Sequence, residues 1–313
     1  MKLSPQEILT AVQPTGRWFV HKQSLMTPLL GASLNFTIEN CQNLMIHTVN
    51  NANPLSPSQI FTCRVDNGPW QRWPATNHKF QLSLSPANHQ VSIMTGGNCD
   101  LDNVWTQNQC FTITGIIVND QAIIKPLTKN QQILVLGDSI TAGCWVNGKH
   151  ASVDYRPESN YLAVAQDQLP KIEIHRIAYS AAGVLRPGTG SVPAALSWLN
   201  HTNHKLIAPA KHFDWVLIAL GVNDRRFSAQ RFYKAYLNYV RAVQNRYQCP
   251  VALMIPFLQS FSSEITQIGK TMNIPVITTK HWCPSTIDGL HPDSFGSLAA
   301  GQHFAQAIRQ LVQ

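Results

Sequence analysis

The sequence has little charge, and none of it comes in blocks. Asp, Glu, Lys and Arg make up 13% of the residues, and the basic ones occur singly or in pairs such as Arg225-Arg226. A net charge of +8 is compatible with an anionic partner. Without a basic run or a nucleic-acid motif, however, the expectation is a solvated basic surface and no nucleic-acid partner. The opening residues Met1-Lys2-Leu3-Ser4-Pro5-Gln6-Glu7 lack the apolar core of a secretory signal, and no stretch approaches the length of a membrane span. A soluble, cytoplasmic protein with no membrane partner is therefore expected. Cysteine is sparse and unpaired in pattern: Cys41, Cys63, Cys99, Cys110, Cys144, Cys249 and Cys283 are odd in number and include no C-x-x-C. That indicates neither a disulfide framework nor a zinc ribbon, and mostly buried free thiols are expected. A phosphate-cradling loop ending in Gly-Lys-Ser/Thr and a dinucleotide fingerprint are both missing at suitable strand ends. His201-Thr202-Asn203-His204 offers two metal ligands but no third. No cofactor and no metal are expected.

The sequence does contain ample material for a core. With 313 residues, 44% of them hydrophobic, it is more comfortable as two domains than one. Residues 1–24 read as a short lead-in packed on the body. From Gly31 to Val118 short alternating segments follow one another: Ser33–Ile38, Leu44–Val49, Ile60–Val65, Phe80–Leu84, Gln90–Met94 and Phe111–Val118. Strands without intervening helices predict a β-sandwich or jelly roll over residues 1–125.

After the polar stretch Lys125–Asn130 the pattern changes. Gln132–Gly137, Trp215–Gly221 and Val251–Pro256 are continuous apolar runs, the mark of strands buried on both faces, and Pro275–Thr278 is a shorter one. Helical spacing appears at 160–169, at 229–247 and at 294–312. The alternation predicts an α/β domain over 131–313, a parallel sheet between helical layers, with functional residues at the carboxyl ends of its strands.

Four short motifs lie at such ends. Gly137-Asp138-Ser139 directly follows the first apolar strand, where a Ser presents its hydroxyl at the sheet edge and its N–H to a developing oxyanion. Alone, the motif is short enough to arise by chance, and a helix N-cap explains the Ser equally well. Asp288-Gly289-Leu290-His291 places an acid three residues before a His, close enough in a turn to orient it. A surface pair is the plain alternative. Asn223, after the Trp215 strand, has an amide that can donate to an oxyanion; an ordinary Asn-Asp turn explains it too. Gly183, in Tyr179-Ser180-Ala181-Ala182-Gly183, lacks a side chain and would let a backbone N–H approach the same oxygen.

In the order Ser, Gly, Asn, then Asp and His, these residues resemble the four blocks of the SGNH, or GDSL-like, hydrolases over residues 131–313. The resemblance implies Ser139 as nucleophile, His291 as base and Asp288 as orienting acid. It also implies an oxyanion hole of Ser139 N–H, Gly183 N–H and the Asn223 side chain. A β-rich domain carrying Leu30-Gly31-Ala32-Ser33-Leu34-Asn35-Phe36 and the Val65-Asp66-Asn67-Gly68 turn ahead of the hydrolase looks like carbohydrate esterase family 2. Members of that family join a jelly-roll domain to an SGNH domain and remove acetyl groups from sugars. The implied partner is thus a small acetylated saccharide. A lipid, aryl or thioester substrate, or a non-catalytic carbohydrate-binding role, are the rival readings.

Among the remaining residues, Cys144 reads as a wall residue of the site or a packed thiol. Trp145 suits either a substrate cleft or a core. Trp70 and Trp73, flanking a turn in the β-domain, read either as sugar-binding residues or, in preference, as packing between the two domains. Asp224, Arg225 and Arg226 lie beside Asn223; an Arg there could meet a negatively charged substrate, but a surface ion pair is the preferred reading.

Overall fold

The computed structural model describes residues 1–313. Its first part comprises β1 (Lys2–Leu3), α1 (Pro5–Ala11), β2 (Gln13–Thr15), β3 (Phe19–His21), β4 (Ser24–Thr27), β5 (Ser33–Glu39), β6 (Asn43–Val49), β7 (Ile60–Val65), β8 (Gln71–Pro74), β9 (Lys79–Ser83), β10 (His89–Gly97), β11 (Phe111–Ile117) and β12 (Ile123–Pro126). One antiparallel sheet runs β3-β4-β11-β6-β9 with β1 on β11, and a second runs β12-β5-β10-β7-β8 with β2 on β5. The lead-in is thus more than a strap, since β1 to β3 join the two sheets. Its helix begins with a capping box: Ser4 Oγ accepts from Glu7 N–H, and Glu7 accepts from Ser4 N–H at 2.7 Å.

The sandwich is held by alternating apolar residues, among them Leu44 and Ile46 of β6. Trp73 belongs to this interior, stacked on Phe80 at 4.2 Å and on Phe61 at 5.8 Å. The expectation that it packs between the domains is therefore corrected: its ring fills the antiparallel half. Strand β5 departs from simple alternation because its polar residues are buried as well, Ser33 and Asn35 included. Its second face is covered instead of meeting water.

The second part comprises β13 (Gln131–Gly137), α2 (Ser139–Ala142), α3 (Tyr161–Gln168), β14 (Ile172–Ala178), α4 (Ala195–Trp198), β15 (Trp215–Ala219), α5 (Ala229–Tyr247), β16 (Val251–Met254), α6 (Ser262–Met272), β17 (Val276–Ile277) and α7 (Ser294–Leu311). All five strands are parallel, in the order β14-β13-β15-β16-β17. Alternate residues of β13 serve opposite layers. Ile133 and Val135 pack with Tyr161, Leu162 and Phe304 of α3 and α7, while Leu134 and Leu136 pack with Phe232, Tyr236 and Val240 of α5. No helix is long and apolar enough to cross a membrane.

Sequence periodicity missed β14. Its residues Glu173, His175 and Arg176 are charged or polar, yet every residue of the strand is buried, because this edge of the sheet lies against the antiparallel half. The two halves share one apolar core of 60 residues that runs from Leu3 to Ile274. Polar ties cross the same seam. Arg17, 5% exposed, donates to Trp198 O, His201 O and Leu199 O, each at 2.6 Å, and so supplies a charged donor to carbonyls at and just beyond the end of α4.

Replacing Arg17 with Ala strips three buried carbonyls of their charged donor, and a loss of at least about 2 kcal/mol is expected. Urea unfolding of the two proteins side by side measures it; equal midpoints and slopes would show that the tie contributes nothing.

Candidate active site

The strand register decides where the loops meet. Gly137 of β13 lies level with Ala178 of β14 and Ala219 of β15. The segments that follow, carrying Ser139, Tyr179–Gly183 and Asn223, therefore leave the sheet at one edge. The strand order reverses beside β13, and open α/β sheets bind ligands at that point.

Ser139 opens α2 with its side chain buried at 5% exposure. The turn is tight enough that any side chain on Gly137 would collide with Thr141. Asp138 caps the helix, its Oδ1 accepting from Ile140 N–H at 3.0 Å. Asn160, the cap of α3, donates to Thr141 O at 2.9 Å and Ile140 O at 3.3 Å, so the short helix is fixed at its far end too.

On the other side of the cleft Ile287 N–H donates to His291 O at 2.9 Å, closing a turn around Gly289, whose φ is 82°. Within it Asp288 Oδ1 accepts from His291 N–H at 2.7 Å and Leu290 N–H at 3.0 Å, and Asp288 Oδ2 accepts from His291 Nδ1 at 2.9 Å. Because a carboxylate only accepts, Nδ1 carries the proton and Nε2 is left as acceptor for Ser139 Oγ, 2.8 Å away. The structure thus joins Ser139, His291 and Asp288 in one hydrogen-bonded chain. Partial burial pushes the Asp288 carboxyl upward, but the His291 N–H and imidazole outweigh it and hold the group below the usual carboxylate range. The indole of Trp145, held at φ 59°, lies against the His291 ring with centroids 4.8 Å apart. Trp145 is a cleft residue, and Cys144 beside it is a packed thiol, 4% exposed.

Asn223 sits in a single 3-10 turn, Val222–Asp224, after β15. One hydrogen of its amide is spent on Ala182 O at 3.0 Å, which fixes the side chain against the neighbouring loop and leaves the second hydrogen unassigned by that contact. Gly183 does not have the surroundings expected of it. Its N–H donates to Arg186 O at 2.9 Å, and a Cβ there would sit 2.6 Å from the carboxyl carbon of Asp224. The expected role is corrected accordingly: the residue is bare because Asp224 packs under it, and its amide is already used. Ala181, two residues earlier, has a left-handed φ of 59°, and neither its amide nor that of Ser180 is taken by a protein acceptor.

Asp224 is a residue that sequence reasoning left among surface pairs. It is completely buried, and its oxygens accept from Val184, Leu185 and Arg186 N–H at 2.9, 2.9 and 3.1 Å. Burial raises its pKa while these three donors pull it back. The expected ion pair with Arg225 or Arg226 does not form; Arg226 instead lies over the Phe227 ring at 5.3 Å. Asp138 is also fully enclosed. Burial, with Asp224 nearby, pushes it up to about 7, against the opposing Ile140 N–H. His201 and His204 are spent on the carbonyls of Ser197 and Trp105, at 3.1 and 2.8 Å.

With this geometry in view, comparison with known proteins places the chain. Residues 135–311 match the model of the GDSL-like Lipase/Acylhydrolase family, and the chain belongs to that family. Compared by sequence, no curated protein matches it. Its whole length is similar in fold to the structure of a family two carbohydrate esterase from Cellvibrio japonicus, with TM-score 0.82 at 16% identity over 99% of this chain and 97% of that one. An active-site mutant of a family two carbohydrate esterase from Clostridium thermocellum gives 0.76 at 15% identity, over 96% and 98% of the two chains. The acetyl xylan esterase Est2A from Butyrivibrio proteoclasticus gives 0.74 at 12% identity, over 100% and 99%. The antiparallel half followed by the parallel α/β half is thus the architecture of family two carbohydrate esterases.

Two predictions follow from the buried carboxylates. Gly183→Ala forces a methyl against Asp224, so a destabilisation of about 1–3 kcal/mol is expected, together with reduced ester hydrolysis as the loop shifts; a variant with wild-type melting and activity would contradict the packing argument. Asp138 has a folded-state pKa raised above its unfolded value, so its ionisation costs stability as pH climbs from the unfolded value toward about 7, and the cost then stays constant. Asp138→Asn should accordingly raise the melting temperature most at pH 8, with the advantage shrinking as pH falls through 6 to 4. Thermal melts across that range read it, and a pH-independent difference would count against the assignment.

Proposed function

We propose that the protein is a serine esterase that removes O-acetyl groups from a carbohydrate or glycoside. The observation that carries the reading is the chain Ser139 Oγ, His291 Nε2, His291 Nδ1, Asp288 Oδ2, with contacts of 2.8 and 2.9 Å at the carboxyl edge of a parallel sheet. A serine hydroxyl becomes nucleophilic when an oriented imidazole takes its proton. Ser139 Oγ attacks the acetyl carbonyl carbon, and His291 accepts the proton while Asp288 stabilises the imidazolium. The tetrahedral oxyanion is met by Ser139 N–H, the free amide hydrogen of Asn223 and the uncommitted Ala181 N–H, which replaces Gly183 in this role. The carbon–oxygen bond to the sugar breaks, and the departing oxygen takes the proton from His291. A water, deprotonated by the same imidazole, then attacks the acetyl-serine and releases acetate.

Support for an acetylated sugar, in preference to a lipid, comes from likeness in fold along the full chain to a family two carbohydrate esterase and an acetyl xylan esterase. The test is a set of nitrophenyl esters and acetylated saccharides. Hydrolysis is expected to fall from acetate to octanoate, with acetate released from at least one acetylated mono- or oligosaccharide. In Ser139→Ala both activities should drop by about 10³-fold or more. Rates that rise with acyl length would overturn the acetyl assignment, and undiminished hydrolysis in Ser139→Ala would remove the nucleophile.

A further inference from the structure

A cavity of about 430 Å³ separates the second antiparallel sheet from the edge strand β14, a size within the usual range of small-molecule sites. It lies toward the beginning of β14, at Glu173 and Ile174, whereas Ser139 follows the level of the strand's last residue, Ala178. The cavity is therefore not part of the Ser139 cleft. Elsewhere the seam between the halves is closed by direct contacts such as those of Arg17 and the edge-on pair Trp105–Tyr179. Here the two surfaces stand apart and both present polar groups, Ser33, Asn35 and Ser92 from one side and Gln166 from the other.

Three observations describe what would fit. The walls contribute four basic and four acidic side chains, so an anion or a cation would face its own sign as much as the opposite one. Of the two buried glutamates in the wall, Glu158 is paired with Arg72, whereas the Glu173 carboxylate accepts no hydrogen bond from the protein, a costly state that a ligand hydroxyl reaching it would relieve. At the rim Arg64 spans the gap, bonded to Asp167 at 2.9 Å and lying 4.7 Å from the centre of the Trp70 ring, which sets an indole beside the opening. Dense donors and acceptors, balanced charge and an aromatic rim suit a molecule rich in hydroxyls and without net charge.

We propose that this cavity is a second binding site, for a neutral polyhydroxylated molecule of monosaccharide size. Its wall includes Arg176, whose guanidinium reaches Thr141 O and Ala142 O at 3.4 and 3.5 Å, at the end of the helix that Ser139 begins. A ligand in the cavity thus shares a side chain with the nucleophile's support.

The test is calorimetric titration of the full-length Ser139→Ala protein with glucose, galactose, mannose and xylose, with glucosamine and glucuronate as charged controls. Because that protein lacks the Ser139 hydroxyl, the readout stands or falls separately from the esterase reading. One saturable site is expected for at least one neutral sugar, with weaker binding of the charged controls. Adding Ser92→Trp, which fills the cavity, or Trp70→Ala, at its rim, should weaken it by about tenfold or more. Placed singly in the wild-type background, the same changes should leave nitrophenyl acetate hydrolysis intact. No saturable binding of any neutral sugar, tighter binding of a charged control, or unchanged affinity in both variants would each overturn the proposal. So would loss of binding when Ser139 of the wild type is phosphonylated, since the sugar would then sit in the cleft. Should Ser92→Trp fail to fold, Trp70→Ala decides alone.

Discussion

The alignment of Gly137, Ala178 and Ala219 across three parallel strands is the constraint on which the rest depends. A parallel ladder fixes register along its whole length, so three chain segments far apart in sequence leave the sheet at one height. Nothing in the loops has to find its partners by flexible search. The fourth component, the turn from Ile287 to His291, arrives after the last strand and needs only its own internal hydrogen bonds to present the imidazole.

Beneath this edge the protein buries two carboxyl groups and treats them differently. Asp224 is surrounded by backbone donors and acts as a post around which the Val184–Arg186 loop is tied. Asp138 has one such donor, so its charge is poorly compensated. The nearby Asp224 makes Asp138 harder to ionise, a like-charge effect added to burial. The Ser139 turn and the Val184–Arg186 loop are thus coupled from below, through two buried carboxyl groups.

How much of this was legible in the sequence follows from how local each signal is. Asp288 and His291 meet within one turn, and Ser139 lies immediately after an apolar strand, so short motifs expose them. Asn223 is legible for the same reason, since it lies in the turn that follows a strand end. Ala181 carried no such mark, because the left-handed backbone that sets it apart shows only in a structure. Gly183 misled because a glycine signals close approach without saying what approaches, and here it is Asp224. Strand β14 was hidden by Glu173, His175 and Arg176, which read as a solvated segment yet are buried, Arg176 beside Gly31 of the antiparallel half and His175 against Phe213. Contacts between halves follow no period along the chain, so the polar face of β5 and the cavity beside it left no pattern to read.

The Arg17 tie also bears on the order of events during synthesis. Its three carbonyl acceptors lie 181 to 184 residues downstream, well beyond the span from Leu3 to Ile116 over which β1 and β11 pair. A ribosome delivers chain from the amino terminus, so this guanidinium must wait in water until α4 has emerged. This part of the seam therefore cannot close before α4 has been made.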